Sequence, residues 1–441
     1  MSVPLEGGDA TTSGGTTVST TEARSAVRDA PGARRPAAAA LFALAIGGFG
    51  IGTTEFATMG LLPQMADELH VSVPTMGHGI TAYALGVVVG APVITALAAR
   101  VPRRGLLLVL MLAFVAGNGL TAVAPGIWSL VGARFLTGLP HGAYFGIASV
   151  VAAGLVPPDR KGRAVSRVMV GLTVANIIGV PLVTLAGQLF GWRASYALVA
   201  GIGVVTVVAV RQWVPPVAAA DGASITRELG AFRRVHVWIA LLTGTVGFGG
   251  MFAVYSYVAP TLTEVAGMPT WAVPWVLAVF GLGMTVGALL GGRLADRSAL
   301  GTLIGSLVAM TGVLVLYALT ASAPVAAVLL VFAVGLVCQA LGAGLTIRLM
   351  EASPDAPALA ASSNHSALNL ANAIGAWLGG VVIAAGHGYL ATAWVGAALS
   401  VAGLLFVGGS VLVPRLAGGR PTAPVRLHPA YVKDPDRTPS A

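Results

Sequence analysis

Twelve apolar stretches, each of about 20 residues or more, recur along this 441-residue chain with short polar breaks between them. A hydrocarbon core roughly 30 Å thick takes about 20 apolar residues of helix to cross. An isolated strand in lipid would leave its backbone unpaired, so each stretch is expected to be a helix. The predicted spans are 37–62, 76–98, 105–124, 128–153, 167–189, 194–213, 237–259, 271–292, 299–320, 324–347, 363–385 and 389–413. Only 9% of the chain is charged, against about 25% in soluble domains, so lipid is the expected surroundings. Its 59 glycines fit the same reading, since small residues let helices in a bilayer approach closely.

Basic residues sort the connections into two sets. Seven alternate segments hold 23 of the 25 Lys and Arg: the two tails and the segments near 99–104, 154–167, 211–234, 293 and 348. The connections on the other side hold only Arg193, and Arg134 falls inside the fourth span. Cytoplasmic loops carry the Lys and Arg excess, so both termini are expected in the cytoplasm of a multi-pass cell-membrane protein. Topology thus accounts for the net charge of +9 without a nucleic-acid partner, which would need one basic face or stripe. Residues 1–35, with 15 Ser, Thr and Gly, are expected to stay a disordered cytoplasmic tail. The apolar run from Pro36 is too long for a cleaved signal and reads as an uncleaved anchor. The sole cysteine, Cys338, excludes an internal disulfide.

The chain also repeats itself. A shift of 197 residues lays LGVVVGAPVITALAAR (85–100) on LGMTVGALLGGRLADR (282–297), with eight of sixteen positions identical. The same shift pairs Pro63 with Pro260, Phe135 with Phe332, Gly138 with Gly335 and Leu139 with Leu336. A shift of 196 pairs Leu172, Ala175, Asn176 and Gly179 with Leu368, Ala371, Asn372 and Gly375. Chance matches in an Ala, Gly, Val and Leu-rich composition do not keep one register across four spans. The expected architecture is all-α: twelve transmembrane helices in two parallel six-helix repeats. The bundles are placed at 36–213 and 237–413, with a cytoplasmic linker at 214–236 and a cytoplasmic tail at 414–441.

Function is sought where the two copies differ in charge. Glu55 maps to Phe252 and Arg134 to Val331, and these are the only formal charges well inside predicted spans. A charge near the membrane centre costs about 2.5–3.5 kcal/mol, which marks an intramembrane acid as a functional candidate. Gly48, Gly52 and Met59 share the helix face of Glu55 and are expected to leave room beside the carboxylate. Glu55 as a proton-binding group and Glu55 as an outer-interface cap both stand at this point. For Arg134, a functional role stands beside a structural bond to backbone carbonyls or a helix-helix lock.

Other polar groups fall into patterns. His365, Asn369 and Asn372 sit at i, i+4 and i+7, on one face of span eleven, and Asn176 mirrors Asn372. Such groups serve either cargo or interhelical hydrogen bonding. Phe248, Phe252 and Tyr255 form a stripe on span seven, where packing and a binding wall are the two uses. His141 follows Pro140 in span four and is a candidate for contact with cargo or proton. The seven histidines show no zinc-ligand spacing, and neither a GxSxG nor a P-loop occurs, which argues against a membrane enzyme and against a metal.

At this level of detail the plan resembles the major facilitator superfamily, and its ordered motifs resemble the twelve-helix drug:proton antiporter branch. RFLTGLPHGAYFG in span four is similar to that branch's Arg-containing motif, which implies a proton-transfer role for Arg134. GLTVANIIGVPLVTLAG in span five is similar to the exporters' glycine-proline motif, with Val180 in place of its glycine before Pro181. GTTEFATMGLLP resembles the first-span signature of arabinose-efflux and chloramphenicol-export permeases. ARVPRR and GRLADRSALG resemble the superfamily's cytoplasmic loop, although Ala99 and Pro102 depart from the usual Asp and Gly. The resemblance implies a cytoplasmic gate at Arg100, Arg103, Arg104, Asp296 and Arg297. It also implies a central cavity reached by Met59, His141, Phe145, Asn176, Phe248, Phe252, Tyr255, His365, Asn369 and Asn372. The function it implies is proton-coupled export of small hydrophobic compounds, phenicols among them, by alternating access. A sugar or metabolite exporter and a passive facilitator stay open. The proton is the coupling ion, no cofactor is expected, and the protein is expected to work as a monomer in the bilayer.

Overall fold

The computed structural model describes residues 31–98, 101–157, 160–217, 235–352 and 357–416. Its helices follow the expected order. The first six are α1 (Pro31–Glu68), α2 (Val73–Leu97), α3 (Arg103–Ala122), α4 (Ile127–Gly154), α5 (Lys161–Phe190) and α6 (Trp192–Trp213). The second six are α7 (Val235–Tyr255), α8 (Val273–Arg297), α9 (Ala299–Thr320), α10 (Pro324–Ala352), α11 (Pro357–Ala384) and α12 (Ala391–Leu416). Eleven are long and apolar enough to span a bilayer, and α7 makes the twelfth together with its continuation to Val265.

Three departures from the expected spans have local causes. α1 begins at Pro31, inside the stretch expected to be disordered, and runs past residue 62 to Glu68, where the carboxylate pairs with Arg193 at the start of α6. α7, expected as one rod over 237–259, bends by 43° beyond Tyr255 before resuming as Val258–Pro260 and a π-helical turn, Thr261–Val265. Pro260 lacks an N–H and its ring crowds the Ser256 carbonyl, which accounts for the bend. α5 carries a π-helical turn at Ala175–Gly179, just ahead of Pro181, where the residue-177 carbonyl likewise loses its donor.

The duplication is visible in backbone contacts. A Cβ added to Gly86 would lie 2.2 Å from the Phe135 carbonyl oxygen, and one on Gly283 would lie 2.2 Å from that of Phe332. Gly90 meets the Leu139 oxygen at 2.1 Å as Gly287 meets that of Leu336 at 2.1 Å; Gly138 meets Tyr83 as Gly335 meets Phe280. Every partner differs by 197, so α2–α4 and α8–α10 are one glycine-tight crossing built twice. Likewise α3–α6 and α1–α5 reappear as α9–α12 and α7–α11. Between the halves α2 packs on α11 and α5 on α8, a pair related by the same repeat.

The seam between the halves is uneven along its length. One apolar cluster joins Phe56, Met59, Leu62, Met76 and Trp192 of the first half to the core of the second. All of these lie toward the end carrying the α1–α2 and α5–α6 connections. At the other end, where α2–α3 and α4–α5 carry basic residues, the first half packs in a cluster of its own, including Leu44, Leu107, Phe114 and Val151. The halves are therefore sealed away from the basic end. There Gln188 of α5 donates to the Thr270 carbonyl at 2.9 Å.

Candidate functional site

Glu55 lies two-thirds along α1, buried but 7% exposed, while Thr54 and Arg134 are fully buried. It makes no hydrogen bond or ion pair among the described residues. The space expected beside it is filled: an added Cβ on Gly52 would meet Leu172 and Ala175, and one on Gly48 would meet Phe145 and Val168. These glycines let α4 and α5 close on α1 instead of leaving a void.

Arg134 reaches α1 but bonds the neighbour of the acid. Its Nη1 donates to Thr54 Oγ1 at 3.1 Å and its Nη2 to the Thr54 carbonyl at 3.1 Å. Thr54 Oγ1 in turn donates to Asn118 Oδ1 of α3 at 2.6 Å, and Asn118 Nδ2 donates to the Phe114 carbonyl. The guanidinium stands 4.3 Å over the Tyr83 ring and 5.5 Å from that of Tyr196. Glu55 is within electrostatic reach of both Arg134 and Tyr83. An uncompensated cation at this depth would be costly; two aromatic faces and a threonine solvate it instead.

Further along α4, toward the basic end, Tyr83 Oη and His141 Nδ1 are 2.9 Å apart. The His141 ring is 5.9 Å from that of His365 on α11, and His365 stacks on Phe145 at 5.2 Å with planes 3° apart. Toward the sealed end Phe56 stacks on Phe252 at 6.4 Å and meets Tyr255 edge-on at 5.6 Å, and Tyr255 stacks on Phe280 of α8 at 3.9 Å. Met59 joins this apolar wall. Phe248, of the same stripe, lies against Gly342 of α10 within the second half.

The asparagines are buried with spare hydrogen-bonding capacity. Asn176 Nδ2 donates to the Leu172 carbonyl and Asn369 Nδ2 to that of His365, leaving both Oδ1 atoms unpartnered. Asn372, fully buried, has neither Nδ2 nor Oδ1 satisfied. The interhelical bond considered for Asn176 and Asn372 is thus not made from their side chains to another helix. The Asn176 backbone has a different neighbour: an added Cβ on Gly281 of α8 would lie 2.4 Å from its carbonyl oxygen, which seats the π turn of α5 on the other half.

The gate residues are apart. Arg103 N donates to the Val217 carbonyl, just beyond α6, and Arg104 Nη2 to that of Arg211 in its last turn, so both engage their own half. Asp296 and Arg297 are exposed at the end of α8 with no hydrogen bond or ion pair among the described residues. Arg100 lies outside the described residues. Thr54, Tyr83, Asn118, Tyr196 and Phe56 were not singled out from the sequence. The signal for four of them was present: Thr54, Tyr83, Asn118 and Tyr196 map by 197 to Met251, Phe280, Val315 and Ala393, so the copies differ there in polarity as well as in charge.

Residues 44–376 match the Major Facilitator Superfamily. The chain is 42% identical over 367 residues to the inner membrane transport protein YdhP of Escherichia coli K12, covering 83% of this chain and 94% of that protein. It is 34% identical over 374 residues to a chloramphenicol resistance protein of Streptomyces lividans, covering 83% and 94%. Its fold matches a bacterial homologue of the human lysosomal transporter Spinster, solved inward-facing and unoccupied, with TM-score 0.63 at 14% identity over 88% of this chain and 97% of that one. Twelve spans in two sets of six that repeat the same helix contacts at a 197-residue register, with a polar site beside their seam, agree with these matches: the chain belongs to the Major Facilitator Superfamily and is a membrane transporter.

Proposed function

We propose that this transporter exports small, mainly hydrophobic, uncharged compounds in exchange for protons, with its basic end in the cytoplasm. The observation that carries the reading is Glu55: one carboxylate at membrane depth, without a hydrogen bond or ion pair among the described residues, beside a cation that is bound elsewhere. A group so placed can take and lose a proton without dismantling a salt bridge. Its charge alters the balance around Arg134 and Tyr83, next to Phe56 on the seam. Proton and cargo would then favour opposite openings as the halves rock. Moving one charge through about 100 mV supplies roughly 2.3 kcal/mol, enough for about a fifty-fold cargo gradient. The wall of Met59, Phe56, Phe252 and Tyr255 suits an apolar cargo, and the relative named for chloramphenicol resistance supports a phenicol as first probe.

In inside-out vesicles holding a proton gradient, adding chloramphenicol to the wild type is expected to release protons. Glu55→Gln is expected to insert normally and release none. Undiminished release in Glu55→Gln would end the assigned role. A sugar exporter has its own support in the spare amide groups of Asn369 and Asn372, so pentoses belong in the same panel. Cargo that only equilibrates, with no accumulation against its gradient for a protonophore to collapse, would instead indicate a passive facilitator.

A further inference from the structure

We infer that Tyr83, His141 and His365 form a second proton station, through which the coupling proton passes between Glu55 and the basic end of the seam. The inference deepens the export reading and rests on it for the direction of travel. Three features of the geometry support it.

First, the groups are in sequence along the membrane normal. Arg134 and Glu55 occupy one level, and His141 is seven residues further along α4, about 10 Å nearer the basic end. His365 is in the early part of α11, which starts from that end. Second, they are joined. Tyr83, whose ring lies under the Arg134 guanidinium, hydrogen-bonds His141 Nδ1 at 2.9 Å, and the His141 and His365 rings are 5.9 Å apart, a gap that a ring rotation or one water spans. Third, the link crosses between the halves, from α2 and α4 to α11, so its continuity depends on how they are tilted.

The transfer balances. Glu55, which has no direct hydrogen bond to Tyr83, gives its proton through a bridging water to Tyr83 Oη while Tyr83 passes its own hydroxyl proton to His141 Nδ1, and His141 releases the Nε2 proton to His365. Tyr83 ends as it began, His141 ends as the Nδ1–H tautomer and resets by returning its proton to Nε2, and one proton has moved from Glu55 to His365. The other titratable groups on the packed elements do not enter the path. Tyr144 of α4 donates to the Leu44 carbonyl, Tyr255 of α7 stacks on Phe280, and Tyr257 donates to the Ala376 carbonyl. Cys338 is buried in α10, and Lys161, Arg163, Arg167 and Arg348 belong to the basic end. No carboxylate other than Glu55 is near the two rings among the described residues. A proton on either ring is therefore an uncompensated cation in the seam, relieved when water enters, and this ties proton departure to opening.

The test uses the full chain, labelled with 15N-histidine, in liposomes without cargo, titrated over about pH 4–9 to bracket imidazole ionisation. The two ring signals are assigned with His141→Asn and His365→Asn. Coupled sites shift one another, so His365→Asn is expected to move the His141 titration by about one pH unit. Tyr83→Phe is expected to change the His141 tautomer, because Nδ1 loses its partner. Independent titrations, or an unchanged tautomer in Tyr83→Phe, would overturn the station while leaving the Glu55 export reading intact. Coupled rings in a protein that releases no protons with any cargo would overturn the export reading instead.

Discussion

Thr54→Val isolates the junction that holds Arg134. The hydroxyl accepts from Arg134 Nη1 at 3.1 Å and donates to Asn118 Oδ1 at 2.6 Å, while the backbone carbonyl keeps Nη2 in either variant. Valine preserves the shape and removes both side-chain bonds. A guanidinium N–H and an amide oxygen are then buried without partners, at about 1–3 kcal/mol each, so the loss is about 2–6 kcal/mol. The added methyl returns about 1 kcal/mol of apolar burial, for a net loss of about 1–5 kcal/mol, centred near 3 kcal/mol. Thr54→Ser is the control: it keeps the hydroxyl and loses only a methyl, about 1 kcal/mol. Unfolding of the purified protein in detergent micelles, followed by tryptophan fluorescence, is expected to rank wild type above Thr54→Ser above Thr54→Val. Adding Asn118→Val to Thr54→Val is expected to cost less than the sum of the two, because the same bond is lost once. A Thr54→Val protein as stable as Thr54→Ser would refute the reasoning, since the hydroxyl would then not be the group that satisfies Arg134.

Other variants separate packing from coupling. Gly138→Ala places a Cβ 2.1 Å from the Tyr83 carbonyl and Gly335→Ala places one 2.5 Å from that of Phe280. Both are expected to lose about 1–3 kcal/mol in thermal unfolding by overpacking. Only Gly138→Ala, which displaces the residue under Arg134, is expected also to lower proton release per cargo in vesicles. Asn372→Leu removes two unpartnered polar atoms, so it is expected to be at least as stable as wild type while binding hydroxyl-rich cargo more weakly. A clear loss of stability in that variant would mean the amide is bonded after all.

The architecture was legible in the chain because two strong signals carried it, apolar length and a fixed repeat register, and both act on backbone positions shared by the copies. Local breaks were not, because they depend on context that a repeat does not preserve. Pro260 ends a bent α7 while its mirror, Pro63, sits in an unbroken α1. Within the site, Glu55 and Arg134 stood out since a charge in an apolar run is expensive enough to be conspicuous. Thr54, Tyr83 and Asn118 did not, because hydroxyls and amides are common in helices and cost little to place there. His141 and His365 stood out as residue types, but their pairing across the seam needed the packing of α4 on α11.

Comparing polarity between the copies, and not charge alone, exposes what the arrangement is for. Thr54, Tyr83, Asn118, Arg134 and His141 all belong to the first copy, and their mirrors are Met251, Phe280, Val315, Val331 and Cys338. The directed bonds that hold Arg134 therefore stay inside one rigid half. Across the seam the contacts include Phe56 on Phe252 and Tyr255, His365 on Phe145 and His141, Tyr257 on Gly77, and Gly281 on the π turn of α5. Ring and small-residue contacts tolerate sliding, whereas a hydrogen bond lengthened by 1 Å is lost. A side-chain hydrogen bond that does cross the seam, Gln188 to Thr270, lies at the sealed end. Under the proposed exchange, a transporter whose halves part at every cycle gains from this division: the polar network would respond to the proton without being broken by the motion, and the apolar face opposite would move against it at little cost.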